Sequence, residues 1–210
     1  MTANSPNPLD FVHRFEAGDP RLPTLLLLHG TGGDENDLLE VGRVLAPGAA
    51  LLSPRGKVLE NGLARFFRRL AEGVFDLEDL RYRTGELADF AAAACRRYEL
   101  DAARLTAAGY SNGANIAAAL LLLRPGTLRE AVLFHAMVPL VPEKLPELKG
   151  RRVFLAAGKA DRLIPPRESE RLAALLEEAG ARVRLFWHPG GHGLDRAEIE
   201  AARDWLQGGS

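Results

Sequence analysis

Short apolar runs alternate along this chain with longer segments of helical spacing, the pattern of a parallel sheet wrapped by helices. The runs predict buried strands at Thr24 to Leu28, Ala49 to Ser53, Leu105 to Gly109, Ala131 to His135, Val153 to Ala157 and Val183 to His188. Their near-continuous hydrophobicity suits strands covered on both faces. Phe11 to Phe15 reads as an edge strand. Helical spacing predicts Asp34 to Ala46, stopped by Pro47-Gly48, and Thr84 to Tyr98, with Leu87, Phe90, Ala91, Ala94 and Tyr98 on one stripe. Ser111 to Leu123 is apolar nearly all round, so it is expected to be a central, buried helix. Pro166 to Ala179 ends at Gly180, where a left-handed cap is natural. The last helix, Asp195 to about Leu206, opens on a capping box formed by Asp195 and Glu198. From Pro54 to Arg83 an aromatic, arginine-rich segment keeps neither period throughout, and a long irregular connection inside a domain usually serves function. No repeat or linker divides the chain. The expectation is one α/β domain over residues 1–210, with polar tails at about 1–9 and 207–210.

Composition narrows the function. The 27 basic and 28 acidic side chains leave a net charge of -1, and no global field draws in nucleic acid or an anionic membrane. The longest apolar run, Ile116 to Leu123, is far short of the roughly 20 residues of a spanning helix, so membrane insertion is not expected. The opening MTANSPNPLDF has no basic or apolar leader pattern, and the single Cys95 forms no internal disulfide. Together they predict a cytoplasmic protein. The 21 glycines are too many for a helical bundle and mark turns.

The chemistry starts at Gly109-Tyr110-Ser111-Asn112-Gly113, a G-x-S-x-G sequence between a predicted strand and a predicted helix. A sharp turn there projects Ser111 above the sheet, and the flanking glycines are needed because a Cβ would collide with neighbouring elements. A serine hydroxyl needs a base and the base needs an orienting acid, which in this fold type follow in the order serine, acid, histidine. His192, in Gly190-Gly191-His192-Gly193, and Asp161, after the strand Val153 to Ala157, both stand at the carboxyl ends of strands. Asp195 and Glu168 are rival acids, but one has a sufficient task as N-cap and the other in the first turn of a helix. His188 is the rival base. Its spacing from His192 suggests a metal pair, yet Pro189-Gly190-Gly191 prevents a helix there, so neither a metal nor a cofactor is expected. Oxyanion donors are expected from the backbone N–H groups of Thr31, in His29-Gly30-Thr31-Gly32-Gly33, and of Asn112. His29 reads as a brace for that loop. His135 and Met137, ending a strand near Ser111, are candidate pocket residues, as is Leu163. Arg65, Arg68, Arg69, Arg81 and Arg83 are expected to pair with Glu72, Asp76, Glu78 and Asp79.

With these residues in view, the chain resembles the carboxylesterase/phospholipase family of α/β-hydrolases, which includes acyl-protein thioesterases, and above all its small bacterial carboxylesterase branch. The likeness spans about Leu25 to Leu206 and rests on LHGTGGDENDLL, SPRG, FFRR…EGVFDLEDL, GYSNG, GKADRLIP and GGHGL. It implies an α/β-hydrolase fold without a separate cap domain, a triad of Ser111, Asp161 and His192, and an oxyanion hole of the Thr31 and Asn112 amides. It further implies that Phe66, Phe67 and Phe75 lie near the substrate pocket. Asn112 stands where the thioesterase branch commonly has glutamine, which favours a simple esterase. The implied activity is hydrolysis of small, short-chain carboxylic esters, with small-molecule esters as partners and a homodimer compatible with the pattern. An acyl thioesterase or lysophospholipase is the alternative within hydrolases. A binding protein on a hydrolase fold is the alternative outside them, and its signature, a lost triad residue, is missing.

Overall fold

The apolar runs become the strands of a seven-stranded sheet in a computed structural model that describes residues 8–208. The strands are β1 (His13–Glu16), β2 (Thr24–Leu28), β3 (Leu51–Pro54), β8 (Leu105–Tyr110), β9 (Glu130–Phe134), β10 (Arg152–Gly158) and β11 (Arg182–His188). They lie in the order β1-β3-β2-β8-β9-β10-β11. Only β1 runs antiparallel, pairing His13 with Pro54 at the edge. Two small hairpins, β4 (Val58–Glu60) with β5 (Leu63–Arg65) and β6 (Arg69–Ala71) with β7 (Val74–Phe75), resolve the segment whose periodicity was unclear.

Five helices cover the sheet: α1 (Leu39–Leu45), α2 (Leu77–Arg97), α3 (Asn112–Leu123), α4 (Pro166–Glu178) and α5 (Arg196–Leu206). Alternation along each strand separates two cores. Leu26, Leu28, Leu133 and Leu155 face α2, α3 and α4, whereas Leu25, Leu27, Phe134 and Phe154 face α1 and α5. Burial of both faces explains why these strands read as continuous apolar runs.

Two helix boundaries differ from the sequence expectation. Residues 35–38 form turns rather than the start of α1, because Asp34 accepts the Asn36 N–H at 2.7 Å and Glu35 is drawn to Arg55 at 2.5 Å. α2 begins at Leu77 rather than Thr84, with the Asp76 carboxylate accepting the Asp79 N–H at 3.1 Å as N-cap. Both ends of the chain are less tail-like than expected within the described residues. Leu9 packs against the core, and Gln207 closes α5. Residues 1–7 and 209–210 of the expected tails lie outside the described residues.

The chain runs from β2 outward to β3 and then returns to β8 on the other side of β2. The loops after β2 and β8 therefore diverge, opening a crevice at the carboxyl ends of the strands where α/β sheets bind ligands.

Candidate active site

Ser111 links β8 to α3 with φ 52° and ψ -113°, a left-handed conformation rare for a side-chain-bearing residue and strained unless its surroundings hold it. The packing does hold it. The Ser111 N–H donates to Phe134 O at 2.9 Å. A Cβ on Gly113 would stand 1.9 Å from Leu28 O, and one on Gly109 would stand 2.6 Å from Gly113 O, so only glycine fits on either side. The hydroxyl does not cap its own helix. It lies 2.9 Å from His192 Nε2, while His192 Nδ1 lies 2.7 Å from Asp161 Oδ2.

Asp161 follows β10 and is buried. Its Oδ1 accepts the N–H groups of Leu163 (2.8 Å) and Ile164 (3.0 Å), leaving Oδ2 for histidine. Burial alone would raise its pKa, but the Ile164 N–H, His192 and the Leu163 N–H together hold it below the ordinary aspartate value. His192 sits on the loop after β11, fixed by the Tyr110 hydroxyl, which donates to His192 O at 2.9 Å. Asp195 is the N-cap of α5, closing a capping box with Glu198, and the Asp161 carboxylate alone faces His192 Nδ1 among the described hydrogen bonds.

Thr31 and Asn112 line the same cavity as Ser111. Asn112 opens α3, so its N–H has no partner within the helix. The β2 loop is braced as expected: His29 Nε2 accepts the Gly56 N–H at 2.9 Å, which puts its proton on Nδ1, where it donates to Gly30 O at 2.6 Å. Burial pushes the His29 pKa down and keeps this neutral tautomer. Arg65, itself buried, donates to the Thr31 hydroxyl and to Phe67 O.

The cavity measures about 250 Å³ and is lined by Thr31, Arg65, Arg69, Glu72, Phe75, Tyr110, Asn115, Met137, Leu163 and Ile164 around Ser111 and His192. Phe75, Met137 and Leu163 are thus where the sequence put them. Phe66, Phe67 and His135 are not. Phe66 packs on His29 and its N–H is held by Asn112 Oδ1 at 2.7 Å, Phe67 is wholly buried against Phe75, and His135 lies against Asp161, fully buried. The arginines keep some expected partners, with Arg83 lying 3.5 Å from Asp79, and find others. Arg65 and Arg69 share Glu60 at 3.4 and 2.7 Å, whereas Arg68 pairs with Asp76 at 3.1 Å.

Sequence reasoning missed a buried polar cluster behind Asp161. His135 Nδ1 lies 3.1 Å from Asp161 Oδ2, His135 Nε2 lies 3.2 Å from Glu198 Oε1, and His188 Nε2 lies 3.7 Å from Glu198 Oε2. His188, the rival base, belongs to this cluster and not to Ser111. Ligand-type atoms of His135, His188 and Glu198 fall within 4.8 Å of one another, as do those of His135, Asp161 and His192. Each His135 nitrogen points at a carboxylate oxygen rather than toward a common centre, which is hydrogen-bond geometry and not that of a metal ligand set.

Comparison with known proteins agrees with this architecture. MhqD of Bacillus subtilis (strain 168), named as a hydrolase, is 51% identical over 183 residues, covering 87% of this chain and 92% of that protein. The crystal structure of the Bacillus cereus carboxylesterase superposes with a TM-score of 0.94 at 48% identity, covering 96% of this chain and 95% of the other. A carboxylesterase from Mesorhizobium loti gives a TM-score of 0.84 at 34% identity over 91% of this chain and 90% of its own. The family model described as the dienelactone hydrolase family matches residues 70–204. The chain belongs to the dienelactone hydrolase family, as an α/β-hydrolase of the carboxylesterase branch.

Proposed function

We propose that this carboxylic ester hydrolase is a serine esterase that cleaves small, short-chain esters through an acyl-enzyme. The observation that carries the reading is the chain of 2.9 and 2.7 Å contacts from Ser111 through His192 to Asp161, opening into a cavity of about 250 Å³. Ser111 Oγ attacks the ester carbonyl as His192 Nε2 takes its proton, and the imidazolium that forms is held by Asp161. The Thr31 and Asn112 N–H groups donate to the developing oxyanion. His192 Nε2–H then protonates the departing alkoxide. In the second half-reaction His192 draws a proton from water, which attacks the acyl carbon and releases the acid. No cofactor enters these steps.

The cavity is below the roughly 300–1,000 Å³ of drug-sized clefts, which supports a short acyl group and a small alcohol. The similarity to the Bacillus cereus and Mesorhizobium loti carboxylesterases supports a carboxylic ester as the substrate. Among the described residues no helix is long and apolar enough to cross a membrane. A series of 4-nitrophenyl esters of increasing acyl length tests the substrate class. Maximal kcat/KM at two to four carbons is expected, and a preference for ten or more carbons would overturn the short-chain reading in favour of a thioesterase or lysophospholipase.

A further inference from the structure

The residue after β9, His135, combines three features that packing alone does not explain. It adopts φ 54°, it is fully buried, and both of its ring nitrogens face carboxylates. Non-glycine residues rarely hold such a backbone, and when they do the site is often functional. A neutral imidazole carries one N–H, so beside two carboxylates one of its two nitrogens would turn a lone pair toward an oxygen in a fully buried site. A doubly protonated ring donates to Asp161 Oδ2 at 3.1 Å and to Glu198 Oε1 at 3.2 Å together.

The surroundings complete the charge pattern. Glu198, also fully buried, accepts the Asp195 N–H at 2.7 Å. His188 Nδ1 accepts the Gly190 N–H at 3.2 Å, which leaves its proton on Nε2, the nitrogen facing Glu198. The His135 ring centroid lies 5.1 Å from that of His192, 5.3 Å from that of His188 and 5.9 Å from that of Tyr110. These groups and the two carboxylates are the titratable neighbours of the ring.

We propose that His135 is an imidazolium at neutral pH, a positioning residue that shares the Asp161 carboxylate with His192 and sets the basicity of His192. The proposal rests on the serine esterase reading. Burial opposes a charge on His135, but the hydrogen bonds and charges of Glu198 and Asp161 outweigh it and raise the pKa above the ordinary histidine value. A positive charge 5.1 Å away opposes a second positive charge on the His192 ring, and its removal is read in the acid limb of the pH–rate profile. When His192 takes the Ser111 proton, the row becomes His192⁺, Asp161⁻, His135⁺, Glu198⁻, with each charge next to its opposite.

Two measurements on the full chain decide this. In ¹⁵N-histidine-labelled wild type at pH 7.5, about one unit above the ordinary histidine pKa, both His135 ring nitrogens are expected to carry protons, with these signals missing from His135→Asn. Asparagine tolerates the left-handed backbone better than most residues. In that variant the acid limb of the pH–rate profile is expected to move up by about one pH unit or more, with KM little changed because His135 does not line the cavity. A neutral His135 ring in the wild type, or an unmoved acid limb in the variant, would overturn the proposal. If His135→Asn does not fold, Glu198→Gln keeps an acceptor for the Asp195 N–H and is expected to abolish the doubly protonated signal. An imidazolium spectrum in a wild type that cleaves no ester would uphold the charge assignment and refute the esterase reading, so the two failures are distinct.

Discussion

Replacing Asp161 by asparagine tests how the site activates Ser111. The side chain keeps its size, and its Oδ1 still accepts the Leu163 and Ile164 N–H groups, so the loop after β10 should stay folded. The amide group then falls where Oδ2 now accepts from His192 Nδ1 at 2.7 Å. An N–H donor there forces His192 into the tautomer with its proton on Nε2, turned toward the serine it should deprotonate. The variant also loses the negative charge beside the imidazolium of the transition state. With charge centres about 4 Å apart and an effective dielectric near 20, that attraction is about 4 kcal/mol, or about a thousandfold in rate. The tautomer error takes the expected loss in kcat to about 10³–10⁴-fold, with KM changed little. Initial rates on 4-nitrophenyl acetate, with thermal unfolding to confirm folding, make the test. A kcat within about tenfold of wild type would refute the assignment of Asp161 as the acid and return Asp195 and Glu168 to consideration.

Gly113→Ala, which drives a Cβ into Leu28 O, is expected to destabilise the protein by about 3 kcal/mol or more. Gly126→Ala, with nothing within 4 Å, should change stability by less than about 1 kcal/mol, and urea unfolding compares the two. Stability should also depend on pH through two groups of opposite sign. The His135 pKa is raised on folding, so its contribution is full below about pH 6.5 and is lost as pH rises through the folded value. The Asp161 pKa is depressed, so its contribution is present above about pH 3.9 and is lost as pH falls through the folded value. Urea midpoints across pH should therefore fall on both sides, and His135→Asn should remove the decline on the alkaline side.

Burial on two faces made the sheet legible, because strands such as Leu25 to Leu28 have no polar side to confuse the pattern. The capping box of α5 was readable for a local reason: Asp195 and Glu198 satisfy each other's backbone within one turn. What was not legible depended on distant partners. Glu198 looks like an exposed capping residue in sequence, and nothing local announces that its carboxylate is buried against His135, a residue 63 positions away. The start of α2 was obscured by charge, since the buried Asp79 is held by distant partners, accepting the Arg68 N–H at 2.8 Å. Phe66 and Phe67 carried an aromatic signal that fits a pocket wall and a core equally well. The hairpins around them decide for the core. The triad candidates were visible because their motifs combine backbone needs with chemistry: Gly109 and Gly113 mark the sharp turn that presents Ser111.

The claim on which the rest depends is that Ser111 is a nucleophile activated by His192. Covalent labelling with a fluorophosphonate, read by intact mass, tests it most directly. The account predicts one adduct per wild-type chain and none in Ser111→Ala. An unlabelled wild type, or an adduct that persists in Ser111→Ala, would contradict it.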